Sequence, residues 1–229
     1  KWNQQNQQLV VNYDLPINKI PILSFVKSTY TYTGDYNWQR ASDAFSTITG
    51  EDGNIYALGN TIQNANSHKL NTTLNMDMFY KYIGLTKTKN NKKKPVANKD
   101  KRVAPKPGQQ ITAPKNNITS ERSIFASGLI GVITSVKNIQ INYSENNGTV
   151  LPGYLPGLGF FGSSKPTLGF VFGSQSDVRY EAARNGWLTS FPEFNQNFTQ
   201  VENKKLNLTA KLEVFPDLTI DLTADRTYA

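Results

Sequence analysis

The chain has 229 residues, a formal charge of +8 and no cysteine. Without cysteine it can hold neither a disulfide framework nor a thiolate metal site. No stretch reaches the roughly 18 consecutive apolar residues of a membrane helix. The most apolar runs, 124–136 and 151–172, are broken by Gly, Ser, Thr or Pro. If the chain crosses a membrane, it must use strands, because only helices and closed barrels satisfy backbone polar groups in lipid. Lys1-Trp2-Asn3-Gln4-Gln5 has no apolar core segment of the signal-peptide kind, so an exported protein is expected to have been processed or cut before this point.

Period-two alternation is the main signal along the chain. Leu9, Val11 and Tyr13 mark a first strand over 5–14. The connection Leu15–Pro21 holds two prolines. A second strand is expected over 22–40, with Tyr30, Tyr32, Tyr36 and Trp38 on one face and Thr29, Thr31, Thr33, Asp35, Asn37 and Gln39 on the other. A third is expected over 68–83. There Leu70, Leu74, Met76, Met78, Tyr80 and Tyr82 share a face, and Phe79 breaks the pattern. A fourth over 122–145 ends in Ile139, Ile141 and Tyr143. The fifth, 203–214, carries Leu206, Leu208, Ala210, Leu212 and Val214 on one face. The sixth, 218–228, carries Leu218, Ile220, Leu222 and Ala224. Pro216 in the turn between them cannot continue a ladder.

Several of these strands exceed the roughly five to six residues of a soluble strand. They reach the roughly 9–11 residues of a tilted membrane strand. Aromatic residues near strand ends fit the girdles of such barrels. The expected fold is therefore all-β: an antiparallel transmembrane β-barrel segment, about six strands of a much larger barrel, with long loops and one short helix. A soluble all-β binding module and a receptor barrel of the TonB-dependent type are the rival readings. The expected membrane-facing residues are Tyr30, Tyr32, Tyr36, Trp38, Leu70, Leu74, Met76, Met78, Leu206, Leu208, Leu212, Val214, Leu218, Ile220 and Leu222.

Alternating strand direction puts both short turns and the segment 84–121 on one side, expected to be periplasmic, because barrels of this type have short periplasmic turns. Loops 41–67 and 146–202 fall on the other side. Loop 146–202 is apolar and rich in Gly and Pro, and is a candidate pore cap. It is expected to hold a helix near 177–185, started by Ser176 or Asp177 and stopped by Gly186.

Residues 86–115 carry ten Lys and Arg against Asp100 alone, so the net charge of the chain resides there. This segment has no aromatic residue for base stacking and no nucleic-acid module around it. Its prolines favour an extended, flexible loop. Nucleic acid is therefore not an expected partner, while an acidic partner or lipid headgroups could dock there. Gly157-Leu158-Gly159-Phe160-Phe161-Gly162 spells a dinucleotide motif, but Ser163-Ser164-Lys165-Pro166 follows where a helix would be needed. His68 is the single histidine and, with no cysteine beside it, does not make the usual zinc sites. No catalytic, cofactor or metal residues are expected, and the protein is not expected to be an enzyme.

Several longer stretches resemble a known family. Asn12–Pro21 running into Tyr30–Trp38, Leu58–Asn64, Gly148–Gly157, Ala182–Thr189 and Phe215–Leu218 resemble the SprA/Sov family, the outer-membrane translocon of the type IX secretion system. Within them Gly148, Thr149, Leu151, Pro152, Gly153, Gly186, Trp187, Leu188 and Thr189 carry the loop motifs. The resemblance implies a very large barrel that conducts folded cargo proteins outward and supports gliding motility. It also implies partners: a PorV-like barrel, a periplasmic plug, a peptidyl-prolyl isomerase-like subunit and outer-membrane lipids. It carries over no catalytic residue.

Overall fold

The computed structural model describes residues 2–86, 130–159, 162–215 and 217–229. Six long strands form one antiparallel sheet: β1 (Gln4–Leu15), β2 (Val26–Gln39), β5 (Asn60–Asn75), β6 (Val136–Tyr154), β7 (Thr199–Phe215) and β8 (Leu218–Tyr228). A small hairpin of β3 (Thr47–Thr49) and β4 (Ile55–Ala57) stands apart from it. The six strands follow one another across the sheet in chain order. Among the described residues the sheet does not close, and β1 and β8 are its edges. The strands run from 11 to 19 residues, as long as or longer than a tilted bilayer crossing requires.

Three elements differ from their expected bounds. The third strand is Asn60–Asn75 rather than 68–83, and α1 (Met76–Tyr82) follows it. Asn75 caps this helix by accepting from the Met78 backbone N–H at 3.1 Å. Met76 and Tyr80 suit a helical period as well as a strand period, and the cap decides between them. Met76 and Met78 therefore belong to a helix, not to a strand face. Phe79, the exception to the alternation, stacks on Phe25 with centroids 4.9 Å apart.

The fourth strand is Val136–Tyr154 rather than 122–145, because Gly148, Pro152 and Gly153 do not stop it. Pro152 lies past the last β6–β7 pair, Val150 with Thr199, and within the register shift between β5 and β6. A missing N–H is tolerated at such an edge or bulge. Gly148, Thr149, Leu151, Pro152 and Gly153 are thus strand residues, and the connection read as 146–202 begins after Tyr154 and ends before Thr199. The second strand starts at Val26, since two 3-10 turns, Pro16–Lys19 and Pro21–Leu23, each begin on a proline. The basic segment read as 84–121 lies outside the described residues beyond residue 86, as do 122–129.

The core is the place where the 155–198 connection folds onto the sheet. It contains α2 (Leu168–Val171) and α3 (Arg179–Arg184), the second within the expected 177–185 helix. Phe170, Val171, Val178 and Ala182 pack on Tyr36, Trp38, Ile62, Leu151 and Tyr154. Close approach depends on two glycines. A Cβ on Gly34 would overlap the Phe172 carbonyl, and Gly173 sits at φ +96, a conformation that glycine adopts without the penalty of a side chain. Gly34→Ala is expected to lower the urea midpoint, an overpacking cost of about 1–3 kcal/mol. Gly157→Ala, where no atom lies within 4 Å of the added Cβ, leaves the midpoint unchanged.

Candidate functional site: the apolar face and its covered end

Antiparallel pairing puts directly opposed residues on the same side of the sheet, so the register assigns every strand residue to a face. One face gathers Leu9, Val11 and Tyr13 on β1, Tyr30 and Tyr32 on β2, and Leu70 and Leu74 on β5. It continues through Ile139, Ile141 and Tyr143 on β6, Leu206, Leu208 and Leu212 on β7, and Ile220 and Leu222 on β8. Leu9, Val11, Tyr13, Leu208, Ile220 and Leu222 are exposed. Two hydroxyls within this band, Ser28 and Thr72, satisfy each other at 2.8 Å.

On each strand the apolar row stops at one residue, and a polar residue or glycine takes the next place on that face. The stops are Leu9 before Gln7, Tyr32 before Gly34, Leu70 before His68, Tyr143 before Glu145, Leu206 before Lys204 and Ala224 before Arg226. Over β5, β6 and β7 this edge stays on one ladder row, Leu70–Tyr143–Leu206, but it steps off that row on β1, β2 and β8. The ladder row of Ala224 passes through Leu208, Ile141, Thr72 and Ser28 to Leu15. Between β1 and β8 the edge therefore drops from the level of Leu9 to that of Leu15. Six residues at about 3.3 Å make about 20 Å, across five strand spacings totalling about 24 Å. The slope is about 40°, within the roughly 35–45° by which barrel strands tilt.

The opposite face is polar and held together across strands. Thr29 donates to Asp14 and Thr31 to Asn12, at 2.8 and 2.9 Å. Asn142 donates to Asn207 and Asn207 to Asp225, at 3.1 and 2.9 Å. A hollow of about 580 Å³ opens on this face, around Asn6, Asp35, Gln63, Ala65, Gly148 and Val201. It spans five strands at one end of the sheet, which is concave toward its polar side there.

The expected membrane-facing set divides accordingly. Nine of its members, Tyr30, Tyr32, Leu70, Leu74, Leu206, Leu208, Leu212, Ile220 and Leu222, share the apolar face. Leu218 pairs with Phe215 across a register shift, and Val214 sits in that shift. Tyr36 and Trp38 are on the same face but covered, at 1% and 5% exposure. Phe170 meets the Tyr36 ring edge-on, and the Trp38 indole N–H donates to the Pro156 carbonyl at 3.2 Å. These two residues are core, not surface.

The covering segment is fastened by polar groups that alternation did not single out. Asn64, buried on β5, donates to the carbonyls of Phe170 and Ser174 at 2.9 and 2.7 Å, and accepts from Gln175 at 2.9 Å. Asn66 donates to the Gly173 carbonyl at 2.8 Å. Thr149 donates to Gln175 at 2.7 Å, and the Tyr32 hydroxyl donates to the Phe172 carbonyl at 2.6 Å. Leu188 bridges to Tyr154, Thr189 donates its backbone N–H to Gly153 at 2.8 Å, and Trp187 packs on Tyr154. The loop motif residues thus join the strand end to the cover, while Gly186 follows α3 at φ +66. Neither Ser176 nor Asp177 is the N-cap of α3, a position held by Val178 without a side-chain bond. Asp177 instead accepts from the Arg179 backbone N–H at 2.9 Å, and the Arg179 guanidinium holds its carboxyl below the usual range.

The dinucleotide-like run closes on itself, with Gly159 and Gly162 exchanging backbone bonds of 3.1 and 3.3 Å. Among the described residues no group of three or more His, Asp or Glu could hold a metal. His68 is half-buried and takes a 2.7 Å hydrogen bond with Tyr30. Comparison with protein-family models and with curated proteins gives no match. Asn64→Ala removes both amide bonds to the cover and leaves the half-buried Ser174 carbonyl without its side-chain donor, at about 1–3 kcal/mol. Limited proteolysis is then expected to cut residues 162–178 faster than in the unaltered protein.

Proposed function

We propose that this chain is a stretch of the wall of an outer-membrane β-barrel, with its apolar face toward lipid and its polar, concave face toward a wet lumen. The sloped edge of the apolar face carries the reading. A flat boundary of lipid, cut by strands tilted in a barrel, crosses the ladder obliquely. From Leu206 to Phe215, nine steps along β7 at about 3.3 Å each, the apolar rows extend about 30 Å along the strand. At a tilt of about 40° that is about 23 Å of depth, close to the roughly 25 Å apolar band of such barrels.

The resemblance of the quoted stretches extends the proposal to a protein-conducting translocon of the SprA/Sov family in the type IX secretion system. The wall would export folded proteins by shape and wetness rather than by bond chemistry. Polar ladders keep the lumen hydrated, so cargo passes without losing its own water. The covering segment 162–178 then lies against the outer side of the wall, beyond the acyl chains, rather than across the pore.

In the whole protein, Ile220→Arg is expected to cost about 2–4 kcal/mol, as Arg does near the bilayer midplane, and Leu208→Arg, one apolar row inside the edge, less. Thr209→Arg and Thr223→Arg, paired on the polar face, should fold with little change in urea midpoint in liposomes. Equal effects on the two faces would refute the facing. For sidedness, cysteines at Asn54 and Asp217 are to be labelled on intact cells with an impermeant reagent. The proposal expects reaction at Asn54 only; reaction at Asp217 alone would invert the orientation.

A further inference from the structure

We infer that α2 is an interfacial anchor, seating its outward side chains in the boundary between headgroups and acyl chains of the outer leaflet. The inference rests on the lipid-facing reading of the apolar rows. α2 divides its apolar residues between two directions. Phe170 and Val171 are buried against the sheet, at 0% and 2% exposure, while Leu168 and Phe172 stand out at 62% and 45%. The outward pair is spaced i and i+4, which puts both on one side of the helical turn.

The level at which this pair sits is set by three contacts. Tyr32 is the last apolar residue on β2 before the covered end, and its hydroxyl donates to the Phe172 carbonyl. The Phe172 carbonyl lies over Gly34, the next position on that face, in the space a Cβ would fill. Asn66 and Asn64 hold Gly173 and Ser174 directly beyond. The helical turn therefore lies on the upper edge of the apolar band and on the same side of the sheet. Leu168 and Phe172 continue the band outward at the depth where polar residues replace it on the other strands. A bilayer that meets Tyr32 also meets this pair. Apolar side chains beside hydroxyl and amide groups are the composition of an interface anchor. The occupant is thus lipid, continuous with the lipid along the band.

The chain carries no native cysteine, so single sites within it are labelled cleanly once any cysteine elsewhere in the whole protein is replaced. Phe172→Cys, Ile220→Cys and Asn54→Cys, each in the whole protein in liposomes, are to carry an environment-sensitive fluorophore. Quenching is read with lipids bearing a nitroxide near the headgroup or deep in the acyl chain. The expected result is quenching at 172 by the shallow nitroxide, at 220 by the deep one, and at 54 by neither. If 220 is quenched while 172 behaves like 54, the anchor is overturned and the membrane wall stands. If 220 is not quenched either, the membrane reading falls and the anchor with it. Phe172→Ser, which leaves the carbonyl contact with Tyr32 intact, should weaken shallow quenching of a label at Leu168→Cys without loss of the folded sheet. Unchanged quenching there would also count against the anchor.

Discussion

The rest of the structure depends on the antiparallel register of six long strands. Side chains alternate across a strand, so a slip of one residue in any pair would move a whole apolar row to the polar side. The register keeps Tyr30, Leu70, Tyr143 and Leu206 in one line on one face. It keeps Asn142, Asn207 and Asp225 in another line on the opposite face, where their side chains bond in series. The two patterns reinforce each other. A slip would break the polar ladder and scatter the apolar band together, and neither loss would be compensated by the other.

Given that partition, the covering segment is best understood as the completion of one end of the apolar face. Tyr36, Trp38, Ile62 and Leu151 continue the apolar rows past the sloping edge, where lipid would not reach them. Phe170 and Val171 cover them instead. Three polar side chains between the two zones fasten the cover. Asn64, Asn66 and Thr149 bond the backbone and Gln175 of the cover, so the change from exposed apolar wall to buried core is made by amides. The same glycine that ends the row on β2, Gly34, makes room for the cover to sit flush.

Much of this was legible in the sequence, and the misreadings have physical causes. Alternation located β1, β7 and β8 to within a few residues, because each has a simple apolar row. The all-β, antiparallel architecture followed from the same rows. Asn60–Ser67 carries almost no apolar alternation, so the first half of β5 was invisible: its inward side chains are amides whose partners lie over a hundred positions away. Pro152 and Gly153 argued for a loop, but β6 runs past its β7 partner there and they sit in the register shift that faces β5. Met76 and Met78 satisfied a strand period and a helix period alike, and only the Asn75 cap separates them. Tyr36 and Trp38 alternate as well as Tyr30 and Tyr32 do, and no local pattern reveals that a distant segment covers them.

The slope of the apolar edge is the central quantity, because it ties residue identities to a flat boundary outside the protein. It is measured most directly by a nitroxide scan along the face in liposomes, comparing accessibility to oxygen and to a polar nickel reagent. Leu9, Leu70, Tyr143, Leu206 and Ala224 should favour oxygen. Their polar neighbours on the same face, Gln7, His68, Glu145, Lys204 and Arg226, should favour nickel. The boundary would then descend across the ladder from β1 to β8 at about 40°, the tilt expected of barrel strands. A boundary that follows a single ladder row all the way from β1 to β8, or nickel access along the whole face, would contradict the account.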